Sequence, residues 1–151
     1  MKNTAIIIPS RLEAKRFPNK PLAKINDLPM IVHVLNRAKE SLVGEVYVAT
    51  PDKEIFDVVK ENGGKTFLTK HNHVSGSDRI FEVYSQQLKN NVDLIINLQG
   101  DMPNIKPSSI AKLEKIMRVN NCDIGTLASL IKDKEEITDP NIVKVHVNEN
   151  L

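Results

Sequence analysis

A cluster of positive charges follows the first apolar segment of the chain. Residues 5–22 read "AIIIPSRLEAKRFPNKPL", and their cations are Arg11, Lys15, Arg16 and Lys20. A guanidinium fork matches phosphate oxygens and lysine adds a mobile point charge, so this combination suits a polyphosphate. A loop of solvated charges is the alternative interpretation. The position favours phosphate binding, because open α/β sheets bind ligands at the carboxyl ends of their strands.

The residues around these charges restrict the shape of the loop. Pro18 and Pro21 stiffen it, and Asn19 tolerates a left-handed backbone, so Lys20 is expected to be held at low entropic cost. The segment lacks G-x-x-x-x-G-K-[ST] and is therefore not a P-loop. It also lacks G-x-G-x-x-G, which weakens a dinucleotide-binding interpretation.

A second candidate site is "NLQGDMP", residues 97–103. An apolar strand delivers Gln99, Gly100 and Asp101 to the same carboxyl edge of the expected sheet. Gly100 permits close approach of a ligand, and Asp101 offers a hard oxygen to a divalent cation. A structural aspartate capping a turn is the alternative. Because Mg²⁺ takes one or two carboxylates together with substrate phosphates, an acid and a basic loop at one edge favour a metal-phosphate site.

A third candidate site is "HNHVSGSDRI", residues 71–80. His71 and His73 lack a third metal ligand nearby, so they are interpreted as surface histidines rather than as a metal site. Residues 75–78 form an ordinary helix start with a capping Ser or Asp. The functional alternative is that their hydroxyl and N–H groups, with Arg79 one turn later, contact a base or a sugar. Taken alone, this segment favours capping.

These three sites need a sheet to bring them together. Segments rich in β-branched residues occur at 4–9, 45–50, 65–69, 93–99, 124–131 and 142–147. Helical spacing of apolar residues occurs at Ile31, Val34, Leu35 and Ala38, at Ile55, Val58 and Val59, at Ile80, Val83 and Tyr84, and at Ile110, Leu113 and Met117. The alternation predicts an α/β fold with a mostly parallel sheet and helices on both faces.

Turn and capping residues mark the expected helix boundaries. Pro29 is expected to open the first helix, Asp52 to cap the second and "NGG" at 62–64 to end it. Pro107-Ser108-Ser109 is expected to start the helix after the fourth strand. One domain over residues 1–151 is the default for this length. Because "IVKVHVNENL" runs from a strand into a turn, we expect a truncated piece of a longer protein.

Composition excludes several classes of protein. The 21 basic and 19 acidic residues leave a net charge of +2, which is too small to argue for nucleic acid. Cys122 is the sole cysteine, so neither an intramolecular disulfide nor a cysteine metal cluster is expected. The start lacks the pattern of a signal sequence, and no apolar segment is long enough to cross a bilayer. A cytoplasmic protein without membrane insertion is therefore expected.

Six segments in order resemble one family. "IIPSRLEAKRFPNKPL", "PMIVHVLNRA", "VYVAT", "HVSGSDRI", "NLQGD" and "DPNIVKV" are similar to successive motifs of 3-deoxy-manno-octulosonate cytidylyltransferase, or CMP-Kdo synthetase. The resemblance extends from residue 5 to about residue 147. It implies a Rossmann-like nucleotidyltransferase that uses CTP and Mg²⁺ to activate the sugar acid Kdo for lipopolysaccharide biosynthesis. It also implies a homodimer for the full-length family member.

The resemblance implies roles for particular residues. Pro9, Ser10, Arg11 and Lys20 correspond to the family's loop around the CTP phosphates, with Arg16 beside it. Ser75, Gly76 and Arg79 correspond to cytidine contacts, and Gln99 and Gly100 to the same nucleotide pocket. Asp101 corresponds to the metal-binding aspartate. The implied catalytic residues are Arg11, Lys20 and Asp101, which would neutralise phosphate charge as the Kdo anomeric hydroxyl attacks the α-phosphorus in line and pyrophosphate leaves.

The sequence departs from the family pattern at several positions. Asn19 stands where the family usually has glycine, and Pro51 stands where the family has an acid after "VAT". Met102 stands in place of the glutamate in the family's "QGDEP". Family members are also considerably longer. The part of the family pattern beyond this chain carries a second metal-binding aspartate and most of the Kdo pocket, so the 151-residue chain alone is expected to bind CTP without appreciable turnover.

Three other functions remain open. A CMP-sialate synthetase shares the implied fold and basic loop, although "LQGD" favours Kdo. A noncatalytic nucleotide-binding fragment belongs to a different class and is favoured by the missing second aspartate. An NAD-binding domain is disfavoured by the absence of G-x-G-x-x-G.

Overall fold

A parallel sheet forms the centre of the molecule. The computed structural model describes residues 3–13, 17–120 and 122–147. Four parallel strands have the spatial order β5-β4-β1-β6, and their bounds are β1 Thr4–Pro9, β4 Glu45–Thr50, β5 Lys65–Leu68 and β6 Leu94–Asn97. Along the chain, β1 is followed by a small separate antiparallel hairpin, formed by β2 Lys24–Ile25 and β3 Leu28–Pro29, and then by β4. The four apolar segments up to residue 99 therefore form strands as predicted.

Helices connect the strands and cover the sheet. They are α1 Met30–Glu40, α2 Lys53–Glu61, α3 Gly76–Val83, α4 Pro107–Asn120 and α5 Lys134–Thr138. A 3₁₀ turn spans Lys20–Leu22, and a π-helical turn over Tyr84–Leu88 continues α3. None of the helices in the described ranges combines the length and the apolar character needed to span a membrane.

The alternation of side chains in β1 explains why helices occupy both faces of the sheet. Ile6 and Ile8 are fully buried in a cluster that includes residues of α1, α2 and α4. Ala5 and Ile7 point to the opposite face, where they pack in a cluster with residues of α3. Successive side chains of a strand point to opposite faces, so an uninterrupted apolar segment is buried on both sides. This confirms the predicted layer arrangement.

The helix boundaries fall at the predicted turn and capping residues, but Asp52 does not act as a cap. Pro29 immediately precedes α1, Pro107 starts α4, and α2 ends before Gly63, whose φ of 68° suits glycine. Asp52 occupies the expected position before α2, but its side chain caps no helical N–H. Its carboxylate instead accepts a hydrogen bond from the backbone N–H of Leu12, in the basic loop.

Two predicted strands are wrong. Residues 124–131 and 142–147 form no strand in the structure, and their apolar side chains are largely exposed, with Ile124 at 89% and Val143 at 91%. Residues 123–127 lie beside the β6 edge and line an apolar cavity with it, yet they do not pair with that strand. A β-branched segment becomes a strand only by pairing with a neighbouring strand, and within the described residues neither segment has such a partner.

The order of the strands places a crevice above the centre of the sheet. The chain passes from β1 to β4 and β5 on one side, then returns to β6 on the other side of β1. The segments that follow β1 and β6 therefore diverge from each other at the carboxyl ends of these two strands. Open α/β sheets bind ligands at such a reversal of strand order.

Candidate nucleotide site

A cavity of about 250 Å³ lies at this reversal point. It is lined by Pro9, Ser10, Arg11, His73, Val74, Ser75, Gly76, Arg79 and Gln99. The lining comes from the loop after β1, the segment before α3, the start of α3 and the segment after β6. The three candidate sites of the sequence thus meet in one pocket.

Two glycines allow these segments to converge on Pro9. A Cβ atom at Gly76 would lie 3.1 Å from Pro9 Cγ, and one at Gly100 would lie 3.1 Å from the Pro9 carbonyl oxygen. Both separations are tighter than ordinary van der Waals contact. The absence of side chains at Gly76 and Gly100 therefore brings α3 and the segment after β6 against the end of β1.

The pocket contains a buried hydroxyl group. Ser10 is 7% exposed, and its backbone N–H donates to the Ala49 carbonyl at 2.9 Å. Within the described part of the chain, the Ser10 Oγ is buried without a hydrogen-bond partner. Because buried polar groups are nearly always paired, a bound polar ligand is a natural partner for Ser10 Oγ.

Two arginines of the pocket differ in burial. Arg11 is exposed at the rim, whereas Arg79 is 3% exposed and donates from Nη1 to Thr69 Oγ1 and to the Lys70 carbonyl at 2.9 Å. Burial and then the positive charge of Arg11 lower the pKa of Arg79 below its ordinary value, although Asp52 and Glu82 act in the opposite direction. An anion bound between Arg11 and Arg79 would relieve their repulsion.

Ser75 uses its side chain within the protein. Its Oγ accepts from the Asp78 backbone N–H at 3.1 Å, while Asp78 Oδ2 accepts from the Ser75 N–H at 3.0 Å. These reciprocal bonds form a capping box at the start of α3. The capping interpretation of residues 75–78 is therefore confirmed, and Ser75 and Gly76 line the pocket at the same time.

An ion pair links the basic loop to the acidic turn after β6. Lys20 Nζ lies 2.9 Å from Asp101 Oδ2, and their side chains are 38% and 53% exposed. The expectation that both residues lie at one edge of the sheet is confirmed. Gln99, two residues before Asp101, lines the pocket and donates from Nε2 to Asn97 Oδ1 at 2.8 Å. Since both charges remain accessible to solvent, exchanging this pair for ligand contacts costs little.

The basic loop is held at two points. Asn19 has the expected left-handed backbone, with φ of 58°, and its N–H donates to the Leu12 carbonyl at 3.2 Å. Asp52 Oδ2 accepts from the Leu12 N–H at 2.7 Å. Both polar groups of Leu12 are thus used to fix the loop. Arg16, which the sequence placed beside the phosphates, lies outside the described residues.

Asp52→Ala is expected to lower the free energy of unfolding by about 1.5 kcal/mol, because a hydrogen bond to a charged acceptor is lost. Denaturant titration measures the loss, and limited proteolysis should show faster cleavage in the basic loop. Asp57→Ala is the matched control, since Asp57 forms an exposed pair with Lys53 on α2, and its replacement should cost about 0.5 kcal/mol at most. Equal stability of the two variants would contradict the anchoring role of Asp52.

The Asp101 carboxylate suits a metal that is shared with a ligand. Within the described ranges, no group of three or more His, Cys, Asp or Glu side chains surrounds a potential metal position. Asp101 nevertheless presents an accessible carboxylate beside Lys20. One or two carboxylates completed by water and phosphate oxygens are the usual Mg²⁺ environment, so this donor set fits such an ion.

The prediction of two surface histidines is right for His71 and wrong for His73. His71 is exposed, whereas His73 lines the pocket and pairs through Nε2 with Glu82 Oε2. The partner lies on the second turn of α3, nine residues along the chain. The sequence does contain a histidine followed by an acid on the next helix. Only the folded path of the segment between them shows that His73 and Glu82 meet.

The sequence matches known proteins over nearly its whole length. A family model described as cytidylyltransferase matches residues 5–150. The chain is 47% identical over 143 residues to a 3-deoxy-manno-octulosonate cytidylyltransferase of Rhodopseudomonas palustris (strain BisB18), covering 94% of this chain and 58% of that relative. It is 44% identical to the enzyme of the same name from Rhodospirillum centenum (strain ATCC 51521 / SW), covering 97% and 57%. The chain thus spans somewhat more than half the length of these relatives.

Solved structures agree with the sequence matches. The fold is similar to a CMP:2-keto-3-deoxy-manno-octonic acid synthetase complexed with CTP, with a TM-score of 0.75, 40% identity and coverage of 80% of this chain and 49% of that one. A 4-diphosphocytidyl-2C-methyl-D-erythritol synthase has a TM-score of 0.69 at 13% identity, over 99% of this chain and 70% of the other. Together with the parallel sheet, these likenesses confirm the predicted Rossmann-like nucleotidyltransferase fold.

Proposed function

The chain belongs to the cytidylyltransferase family, and we propose from this premise that the whole protein transfers CMP from CTP to Kdo, releasing pyrophosphate. One observation carries the proposal. Lys20 and Asp101 are 81 residues apart in the sequence and meet at 2.9 Å beside a pocket that contains Ser10, Arg11 and Gln99. The names of the matched relatives supply Kdo as the acceptor.

The parts of CTP are assigned to the segments of the pocket. Arg11 and Lys20 bind the phosphates, with Pro9 and Ser10 at the base of their loop, and the resemblance adds Arg16 to the phosphate-binding residues. Ser75, Gly76 and Arg79 face the cytidine, and Gln99 and Gly100 complete the nucleotide pocket. Residues 1–151 thus act as one nucleotide-binding α/β domain. A cytoplasmic homodimer remains the expectation from the resemblance.

Positioning and charge neutralisation account for the transfer. Cations held at fixed places around a triphosphate stabilise the charge that develops as the leaving pyrophosphate separates. Arg11 supplies a planar fork at the pocket rim, and Lys20 supplies a point charge from a loop anchored through Leu12. The protein provides no covalent nucleophile in this mechanism. Cys122 and His71 have no role in it.

Asp101 is the residue proposed to hold Mg²⁺. When bound there, the ion would neutralise phosphate charge and orient the reacting groups. Lys20 pairs with Asp101 Oδ2, so the carboxylate would hold the ion through its other oxygen or through both if Lys20 turned to a phosphate oxygen. Both members of this ion pair are accessible to solvent, so Lys20 would be available to phosphate and Asp101 to the ion.

The site is expected to select cytosine. Titration calorimetry with CTP, UTP, ATP and dTTP in the presence of Mg²⁺ should show CTP binding tightest, by about tenfold or more, the value of one specific hydrogen bond. The triphosphate is common to all four ligands and serves as the internal control. Equal affinity for all four nucleotides would contradict the cytidine assignment and leave a phosphate-binding site.

Pyrophosphate release tests the transfer itself. The whole protein should release pyrophosphate from CTP with Mg²⁺ only when Kdo is added. Replacing Kdo with N-acetylneuraminate distinguishes a CMP-sialate synthetase, and release with that sugar acid but not with Kdo would overturn the proposed acceptor. Tight CTP binding with no release for either sugar acid would identify a noncatalytic nucleotide-binding protein.

A further inference from the structure

His73 is held against the pocket by a nearly buried partner. Its Nε2 pairs with Glu82 Oε2, and the two side chains are 16% and 12% exposed. Most surface ion pairs contribute little because solvent screens them, but this pair is largely removed from solvent. The contact therefore restricts the imidazole ring that lines the pocket.

The same carboxylate also holds the backbone of the pocket wall. Glu82 Oε2 accepts from the Lys70 N–H at 3.1 Å, and Arg79 donates to the Lys70 carbonyl at 2.9 Å. Arg79 and Glu82 are three residues apart and therefore lie on one face of α3. The backbone N–H and carbonyl of Lys70 are thus both bonded to side chains of that face. Because His73 also pairs with Glu82, both ends of the segment from Lys70 to His73 are held by α3.

The charge of Glu82 determines which nitrogen of His73 carries a proton. Burial acts to raise the pKa of Glu82, but the bonds from His73 and from the Lys70 backbone lower it overall. An ionised carboxylate is only an acceptor, so the His73 Nε2 must be the donor. In the neutral ring, the remaining nitrogen, Nδ1, is then an acceptor.

We propose that Glu82 is a positioning residue of the nucleotide site, which acts by orienting His73 so that Nδ1 accepts a hydrogen bond from the nucleoside part of the ligand. This inference rests on the proposed nucleotide-binding function. Ribose hydroxyls and the cytosine amino group are donors, whereas phosphate oxygens are acceptors. His73 therefore faces the nucleoside, and Arg11 and Lys20 face the phosphates.

Comparison of CMP, CTP and inorganic tripolyphosphate tests this division. His73→Ala should weaken the binding of CMP and CTP by about three- to tenfold, the range for one hydrogen bond, and leave tripolyphosphate affinity within about twofold of the parent. Glu82→Gln should produce a smaller loss with the same ligand pattern. The double variant should bind CMP no more weakly than His73→Ala, because Glu82 acts through His73.

His71→Ala is the matched control, since His71 is exposed on the same segment and should leave all three affinities unchanged. Thermal unfolding is measured for every variant, and Glu82→Asp replaces Glu82→Gln if the latter does not fold. Unchanged CMP affinity in His73→Ala, an equal loss for tripolyphosphate, or additive effects of the two substitutions would overturn the inference. Failure of the parent protein to bind CTP would instead overturn the proposed function.

Discussion

Arg11→Ala is expected to weaken CTP binding by about 1.5–3 kcal/mol, the contribution of a hydrogen bond to a charged group. Arg11 lines the pocket rim and is exposed, so its removal should leave thermal stability nearly unchanged. The substitution also removes the repulsion from Arg11, which lowers the pKa of Arg79 in addition to the larger effect of burial. Calorimetric titration with CTP and Mg²⁺ measures the affinity, and a thermal scan of the same sample measures stability.

Lys20→Ala should lower CTP affinity toward the smaller end of this range, because Lys20 gives up its pair with Asp101 when phosphate binds. Lys24→Ala provides the charge-matched control, since Lys24 is an exposed lysine of the β2–β3 hairpin outside the pocket. All three variants lose one positive charge. If Arg11→Ala and Lys20→Ala bind CTP as tightly as Lys24→Ala, the basic loop is only a solvated surface.

Arg79→Ala should destabilise the fold itself, lowering the free energy of unfolding by about 3 kcal/mol through lost packing and lost hydrogen bonds. Arg79 is 3% exposed, and its guanidinium holds Thr69 and the Lys70 carbonyl. Denaturant titration measures the change. The result would distinguish the roles of the two arginines, since we expect Arg11 to contribute to ligand binding and Arg79 to both ligand binding and the stability of the fold.

Arg37→Ala is the control for Arg79, because Arg37 makes an exposed pair with Glu40 on α1 and should cost about 0.5 kcal/mol at most. Arg79→Met adds a second comparison, since methionine retains the apolar stem but not the hydrogen bonds. Stability recovered in Arg79→Met would assign the loss to packing. Unchanged stability in Arg79→Ala would show that the desolvation of the buried charge cancels its contacts.

The sequence predicts the strands of the sheet well where both faces are buried. Residues 4–9 and 45–50 form β1 and β4 with the predicted bounds. Their β-branched, apolar composition agrees with the environment that they enter. Residues 124–131 and 142–147 have a similar composition but remain unpaired in the structure, because local composition indicates the tendency to form a strand and not the presence of a partner.

The convergence of the candidate residues was predictable because strand ends lie at one edge of a parallel sheet. The meeting of Lys20 with Asp101 follows from that rule. The anchoring of Leu12 by Asp52 and the pairing of His73 with Glu82 do not follow from it. A helix-start pattern makes Asp52 a capping candidate, and only the folded path of the basic loop brings a competing N–H to its carboxylate.

The position of β1 has a consequence for the synthesis of the protein. The first strand of the chain lies between β4 and β6, with Ala5 opposite Glu45 and Thr4 opposite Leu94. Contacts between residues so distant in the chain give a high contact order, which slows folding. As the chain leaves the ribosome, one edge of the apolar β1 can pair with β4, but its other edge remains uncovered until β6 has been synthesised. We therefore expect the nascent chain to pass through a stage in which β1 is exposed and prone to aggregation.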